Sequence, residues 1–142
     1  MVEKTLALVK PDGVEANHVG EILDMYEKAG LKIVALKMIK VNKEFARQHY
    51  IDLKDKPFYQ ELVDFISRSP LVAMILEGED AVNTVRRVNG ATDPSEAKEG
   101  TIRHKYAKGK TDNTVHGSDS VEHAKREISM WFPEFLDSYL DD

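Results

Sequence analysis

Three short apolar runs limit how this chain can fold: TLALV at residues 5–9, LKIVALKMIKV at 31–41 and LVAMIL at 71–76. The first is ended by Lys10 and the turn-forming Pro11-Asp12-Gly13, the second partly alternates and is rich in branched side chains, and the third is continuously apolar. All three read as strands. Between them the apolar positions take a helical period. Val19, Ile22, Leu23 and Tyr26 recur at i, i+3, i+4 and i+7 ahead of Gly30, which supplies a stop. Residues 43–53 read as helix, Pro57 breaks the pattern, and Phe58, Leu62, Phe65 and Ile66 share a face of the segment that resumes. Ala81, Val82, Val85 and Val88 repeat the helical spacing after the third run. Residues 90–113 are polar and turn-rich, longer than an ordinary connection, with one short helix expected near Ile102. A short fourth strand ends in Thr114-Val115-His116. Asp119 and Glu122 then resemble a capping box, and Val121, Ala124, Ile128, Trp131 and Phe132 share one face of the last helix, with Glu127 at its edge.

The resulting order is β-α-β-α-β-α-β-α. It fits either a doubly wound parallel sheet or a ferredoxin-like βαββαβ core, and four strands, one of them very short, favour the second: an α+β fold with a four-stranded antiparallel sheet and additional helices. At 142 residues, with no repeat or low-complexity linker, residues 1–142 are expected to form one domain. Twenty Lys and Arg against twenty-five Asp and Glu leave a net charge of -5, which argues against long nucleic acid and anionic membrane surfaces as partners. A small anionic ligand would need basic residues that converge locally. The absence of cysteine excludes disulfides, thiolate metal sites and cysteine nucleophiles. The N-terminal apolar run is too short for a signal peptide and no run reaches the roughly 18 residues of a membrane span, so a cytoplasmic location is expected.

The chemistry concentrates near His116. Glu127, at the edge of the last helix's apolar face, can reach back to a histidine just before that helix, and a carboxylate beside an imidazole orients the ring and selects a tautomer. For a histidine taken alone, a structural hydrogen bond at a strand end is the ordinary explanation, and Ser118, Asp119 and Glu122 serve equally as caps. His18, His49, His104 and His123 show no comparable setting. Lys10, at the end of a buried strand, points to the rim where loops gather. Its KPDG segment is no phosphate-binding glycine loop, so any bound phosphate must be held by side chains. Arg86 and Arg87 suit a helix C-terminus, whereas Arg103 in GTIRHKY is harder to explain as a cap; guanidinium groups with Lys10 can offset a polyanion, and Thr92 can add a hydrogen bond. Phe58 and Tyr59 are either core or a surface on which a nucleobase stacks. Two other readings stand beside this one: a divalent-metal site made by His116, Asp119, Glu122 and His123, and a noncatalytic nucleotide-binding or regulatory ferredoxin-like module.

Read together, TLALVKPDGV, HYIDLKDKPFY, NGATDP, GTIRHKYA and NTVHGSDSVEHAKREI resemble the nucleoside diphosphate kinase family from end to end, NxxHGSD being its signature. The resemblance implies ping-pong transfer of the terminal phosphoryl group from a nucleoside triphosphate to a diphosphate through Nδ1 of His116. It implies that Glu127 and Ser118 support that histidine, that Tyr50 borders the site, and that Lys10 contacts the transferring phosphate. Arg86, Thr92 and Arg103 match phosphate binders, Asn113 the contact to the sugar hydroxyls, and Phe58 the aromatic that stacks on the base with Leu62 beside it. Magnesium, held mainly by the nucleotide phosphates, is the implied cofactor; broad base tolerance and a homo-oligomer, tetramer or hexamer, are also implied. The family's loop arginine is commonly followed by Gly-Asp and an aromatic, where this chain has Arg103-His104-Lys105-Tyr106 in a loop that helps form subunit contacts. EANHVG at residues 15–20 and the C-terminal PEFLDSYLDD point to a prokaryotic source.

Overall fold

The structure, a computed structural model, describes residues 2–135; residues 136–142 of the PEFLDSYLDD stretch lie outside the described residues. Strands β1 (Val2–Val9), β2 (Lys32–Ile39), β3 (Leu71–Glu79) and β4 (Val115–Gly117) form one sheet in the order β2-β3-β1-β4, and every neighbouring pair is antiparallel. The central strands read as continuous apolar runs because helices cover both faces of this sheet. Leu6, Leu8, Leu71, Ala73 and Ile75 pack on one face against Ala46 of α3 (Lys43–His49), Val63 and Ile66 of α4 (Tyr59–Ile66), and Ile128 and Trp131 of α7 (Val121–Trp131). The alternate residues Ala7, Val9, Val72, Met74 and Leu76 meet Ile22 and Tyr26 of α2 (Val19–Lys28), Ala81 and Val85 of α5 (Ala81–Asn89), and Ile102 of α6 (Ile102–Tyr106) on the other. An antiparallel sheet solvated on one face would alternate instead. Each fully buried Leu or Ile contributes about 1.5–3 kcal/mol.

The connection β1-α2-β2-β3-α5-β4 is the expected ferredoxin-like βαββαβ core, with α3, α4, α6 and α7 added to it. The edge strand differs from the centre. A register irregularity between Ile33 and Ala35 inserts Val34, and Val34, Leu36 and Met38 are then exposed along one side of β2.

Several local expectations are corrected. Pro11-Asp12-Gly13 opens a five-residue helix, α1 (Pro11–Glu15), rather than only a turn: Pro11 has no N–H to lose at the first helical position, and the Lys10 carbonyl accepts from Gly13 and Val14 N–H at 3.0 and 3.2 Å. The helix expected over residues 43–53 ends at His49 and is followed by a 3-10 turn at Ile51–Leu53. Ser120, not Asp119, caps α7, its hydroxyl oxygen accepting from the His123 N–H at 3.0 Å. This cap starts the helix at Val121, which is exposed rather than on the apolar face. Lys105, the residue that departs from the family pattern, forms an ion pair with Glu21 of α2 and sits over the Tyr106 ring, on which His18 stacks at 3.8 Å. Its charge is therefore used to tie α6 to α2.

One register places the site. His116 of β4 lies opposite Leu8 of β1, so its side chain falls on the sheet face covered by α3, α4 and α7.

Candidate active site

Glu127 lies two turns inside α7 with its carboxylate buried against that face, and its Oε1 is 2.7 Å from Nε2 of His116. The same oxygen accepts the Ser118 hydroxyl at 2.9 Å. Burial opposes ionisation of Glu127, but the hydrogen bond from His116, the charge that ring carries when protonated, and the Ser118 hydrogen bond outweigh it and hold the carboxyl below its usual range. An ionised acceptor at Nε2 requires that nitrogen to carry the proton, which leaves the lone pair of the neutral ring on Nδ1.

Lys10 follows the last residue of β1 and is almost wholly buried, its Nζ donating to Asn113 Oδ1 at 2.8 Å. Burial, then the charge of Arg103, lowers its pKa to about 7, against the opposing pull of Asp12 and Asp112. Asn113 in turn donates from Nδ2 to the Lys110 carbonyl at 2.9 Å. Arg103 reaches inward from α6: Nη1 and Nη2 donate to the carbonyls of Gly90 and Val115, each at 2.8 Å, and Nε is 3.4 Å from that of Asn113. The guanidinium thus joins the end of α5, the polar loop and β4 while still lining the cleft, a scaffold role that the sequence did not suggest.

Lys10, Tyr50, Phe58, Leu62, Arg86, Thr92, Arg103, Asn113, His116 and Glu127 all line one cleft of about 1170 Å³. Ser118 does not; it is fully buried and acts on the site through Glu127. Arg86 and Thr92 are exposed at the cleft wall, and Phe58, at the N-terminus of α4, presents a half-exposed ring with the buried Leu62 one turn behind it. An aromatic face at one end and a cation-rich end around Lys10 and Arg103 suit a ligand that is flat at one end and polyanionic at the other. Among the described residues the buried Tyr50 hydroxyl has no hydrogen-bond partner, and burial, then the charge of Glu127, pushes its pKa up, so it stays a phenol able to donate.

Sequence reasoning missed His49. It is buried at the end of α3, lines the cleft, and lies nearly perpendicular to His116 with ring centroids 4.7 Å apart. No local signal marks it, because its partners lie far along the chain. The divalent-metal quartet is not supported: Asp119 pairs with the His123 ring while His116 pairs with Glu127. Among the described residues, the group of ligating side chains that does converge is His49, His116 and Glu127. A hard divalent cation prefers oxygen, and the one carboxylate here already serves two donors, so these three residues form no oxygen cage for such an ion.

Comparison with known proteins gives one answer. A family model described as nucleoside diphosphate kinase matches residues 3–136. A nucleoside diphosphate kinase of Clostridium perfringens is 56% identical over 133 residues, covering 94% of this chain and 93% of that protein. One from Caldanaerobacter subterraneus subsp. tengcongensis is 51% identical over 135 residues, covering 95% and 97%. Among solved structures, the Aquifex aeolicus nucleoside diphosphate kinase superposes with a TM-score of 0.90 at 44% identity, over 93% of this chain and 96% of that one. The halophilic enzyme from Halobacterium salinarum, solved in complex with CDP, gives 0.89 at 42% identity, over 93% and 88%.

Proposed function

Because the chain belongs to the nucleoside diphosphate kinase family and is a phosphotransferase acting on nucleoside tri- and diphosphates, we propose that it works by a ping-pong reaction through a phosphohistidine at His116. The observation that carries this reading is the 2.7 Å contact between Nε2 of His116 and Glu127, which reserves Nδ1 as the nucleophile. Nδ1 attacks the terminal phosphorus in line, a nitrogen–phosphorus bond forms, the bond to the bridging oxygen breaks, and the diphosphate leaves. The acceptor diphosphate then enters the same cleft and takes the group in the reverse sense. Glu127 stabilises the positive charge that grows on the ring as Nδ1 bonds to phosphorus, and Ser118 fixes the carboxylate. Lys10, Arg86, Arg103 and Thr92 receive the phosphates, Tyr50 donates from its hydroxyl, Asn113 meets the sugar, and Phe58 with Leu62 takes the base by stacking. A bound magnesium ion, held by phosphate oxygens, supplies charge neutralisation. Phosphoryl transfer asks mainly for positioning and charge compensation, so the absence of a glycine loop is no obstacle. One domain spanning residues 1–142 and a cytoplasmic location, where these nucleotides are interconverted, belong to the same proposal; no helix among the described residues is long and apolar enough to cross a membrane.

The reading requires parallel initial-velocity lines when ATP and GDP are varied together, and specificity constants for different acceptor bases that agree within about a thousandfold, since stacking is largely blind to base identity. Intersecting lines, or a sharper preference for one base, would contradict it.

The pH dependence follows from Lys10. The ammonium form is the one that attracts phosphate, and it is lost as pH rises through about 7 in the free enzyme. We expect kcat/KM to fall above that pH by up to about tenfold per unit, while kcat holds to higher pH because bound phosphate favours the charged form. Lys10→Gln is expected to be slow and to lack this limb; an unchanged limb in the variant would assign it elsewhere.

A homo-oligomer, tetramer or hexamer, is proposed on the strength of the exposed Val34, Leu36 and Met38 along β2, whose outer edge pairs with no other strand among the described residues. An apolar, unpaired edge is a ready site for a second copy. Leu36→Lys is expected to lower the mass seen by sedimentation, and an assembly indifferent to that change would move the contact off β2.

A further inference from the structure

One buried residue of the cleft that the reaction as derived does not use is His49. It ends α3, is 5% exposed, and touches three aromatic side chains at once. The Tyr50 and His116 rings stand nearly perpendicular to it at 4.7 Å, and the Trp131 ring at 5.3 Å. The indole N–H of Trp131, itself almost fully buried, donates to His49 Nδ1 at 3.1 Å. Indole is a donor only, so this bond requires the lone pair of His49 on Nδ1 and fixes the neutral ring as the Nε2–H tautomer. Burial first, then the charge of His116, keeps the His49 pKa well below its usual value.

The geometry of α7 joins the two histidines. Glu127 and Trp131 are one helical turn apart on the same face, the first holding His116 and the second holding His49. Phe45 of α3 meets the Trp131 ring edge-on at 4.7 Å and fixes it in turn. One hydrogen bond at Nε2 leaves an imidazole free to swing about that contact. A second, locked ring beside it removes the freedom.

We propose that His49 is a positioning residue for phosphoryl transfer: locked by the Trp131 indole, it holds the His116 ring in the one orientation that aims Nδ1 at the terminal phosphate. A histidine serves where a phenylalanine would not, because a phenyl ring leaves the buried indole N–H without an acceptor. The proposal rests on His116 being the nucleophile.

Two substitutions test it. His49→Asn keeps an acceptor near the position of Nδ1, and hence the bond to Trp131, but removes the ring beside His116. Trp131→Phe removes the lock and leaves both histidines. In each, the rate of phosphoenzyme formation in a single turnover with ATP is expected to fall by about 10–100-fold, the size of effect that an ångström of misplacement produces. Nucleotide affinity should stay within about twofold, because neither residue meets the phosphates in this reading. The ring nitrogens of His116, followed by 15N NMR, should lose their single-tautomer signature. A folded His49→Asn or Trp131→Phe enzyme that is phosphorylated at the parent rate with unchanged His116 resonances overturns the proposal. If His49→Asn fails to fold, Trp131→Phe decides alone, and if neither folds, the parent's own 15N spectrum decides, a mobile or mixed-tautomer His116 counting against it. A parent enzyme that forms no phosphohistidine would instead remove the reading on which the proposal rests.

Discussion

His116→Asn is expected to reduce nucleotide exchange by at least about 10⁴-fold, to the level of an uncatalysed background. Among the described residues that line the cleft, the Nδ1 atoms of the other two histidines are engaged, that of His49 by the Trp131 indole and that of His123 by Asp119. The chain has no cysteine, Ser118 is buried behind Glu127, and the Lys10 ammonium is committed to Asn113. The fold should tolerate the change. His116 sits on a three-residue strand with its ring partly exposed, and an asparagine amide can still donate toward Glu127, so the loss of stability should stay within about 2 kcal/mol. Nucleotide binding should survive, because Phe58, Arg86 and Arg103 contribute from other elements. Equilibrium binding of ADP alongside the exchange assay checks both halves. Turnover within tenfold of the parent would mean that another group receives the phosphoryl or that transfer is direct.

The second large effect belongs to Glu127. Its carboxylate accepts from both His116 and Ser118 and is held ionised by the first of these, with burial working against it. Glu127→Gln keeps the shape and an acceptor oxygen but removes the charge that stabilises the developing imidazolium, and should slow phosphoenzyme formation by about 10²-fold. Glu127→Ala also releases the tautomer and orphans the Ser118 hydroxyl, so a loss nearer 10³-fold and about 1–3 kcal/mol of stability are expected. Rapid-quench measurement of the phosphorylated enzyme gives the rates, and urea unfolding gives the stabilities. If Glu127→Gln stays within threefold of the parent, the carboxylate is a structural partner and the charge argument fails.

How far the sequence reached depended on whether a signal was local. The central strands were legible because two covered faces demand consecutive apolar residues over 6–9 of β1 and 71–76 of β3, and the helices because their buried stripes have a short period. Caps and short helices were less so: Asp119 and Ser120 are both ordinary N-caps, and only the backbone path chooses Ser120, while Pro11-Asp12-Gly13 opens a turn and a short helix with the same residues. Within the site, His116 and Glu127 were paired from helical geometry across a gap of eleven residues. Lys10 and Asn113 are 103 residues apart, and His49 and Trp131 are 82 apart, so neither contact leaves a periodic trace. Arg103 shows the same limit. Its charge suggested phosphate, but its bonds to the carbonyls of Gly90 and Val115 exist only because the fold brings α5 and β4 to either side of it. Of the proposed roles, that of Asn113 came from the resemblance alone, while the residues themselves offered Thr92 as a hydrogen-bond donor and left Phe58 open between core and stacking surface until the resemblance chose.

The measurement that bears most directly on the phosphohistidine is chemical. The protein is incubated with radiolabelled ATP and magnesium, freed of nucleotide, and tested for phosphate bound to the chain. Label that is labile in acid, stable in base, discharged to GTP when GDP is added and absent from His116→Asn is the predicted result. A protein that binds ATP and exchanges phosphate with GDP, yet never retains label between the two half-reactions, would contradict the covalent route and leave direct transfer between two bound nucleotides in its place.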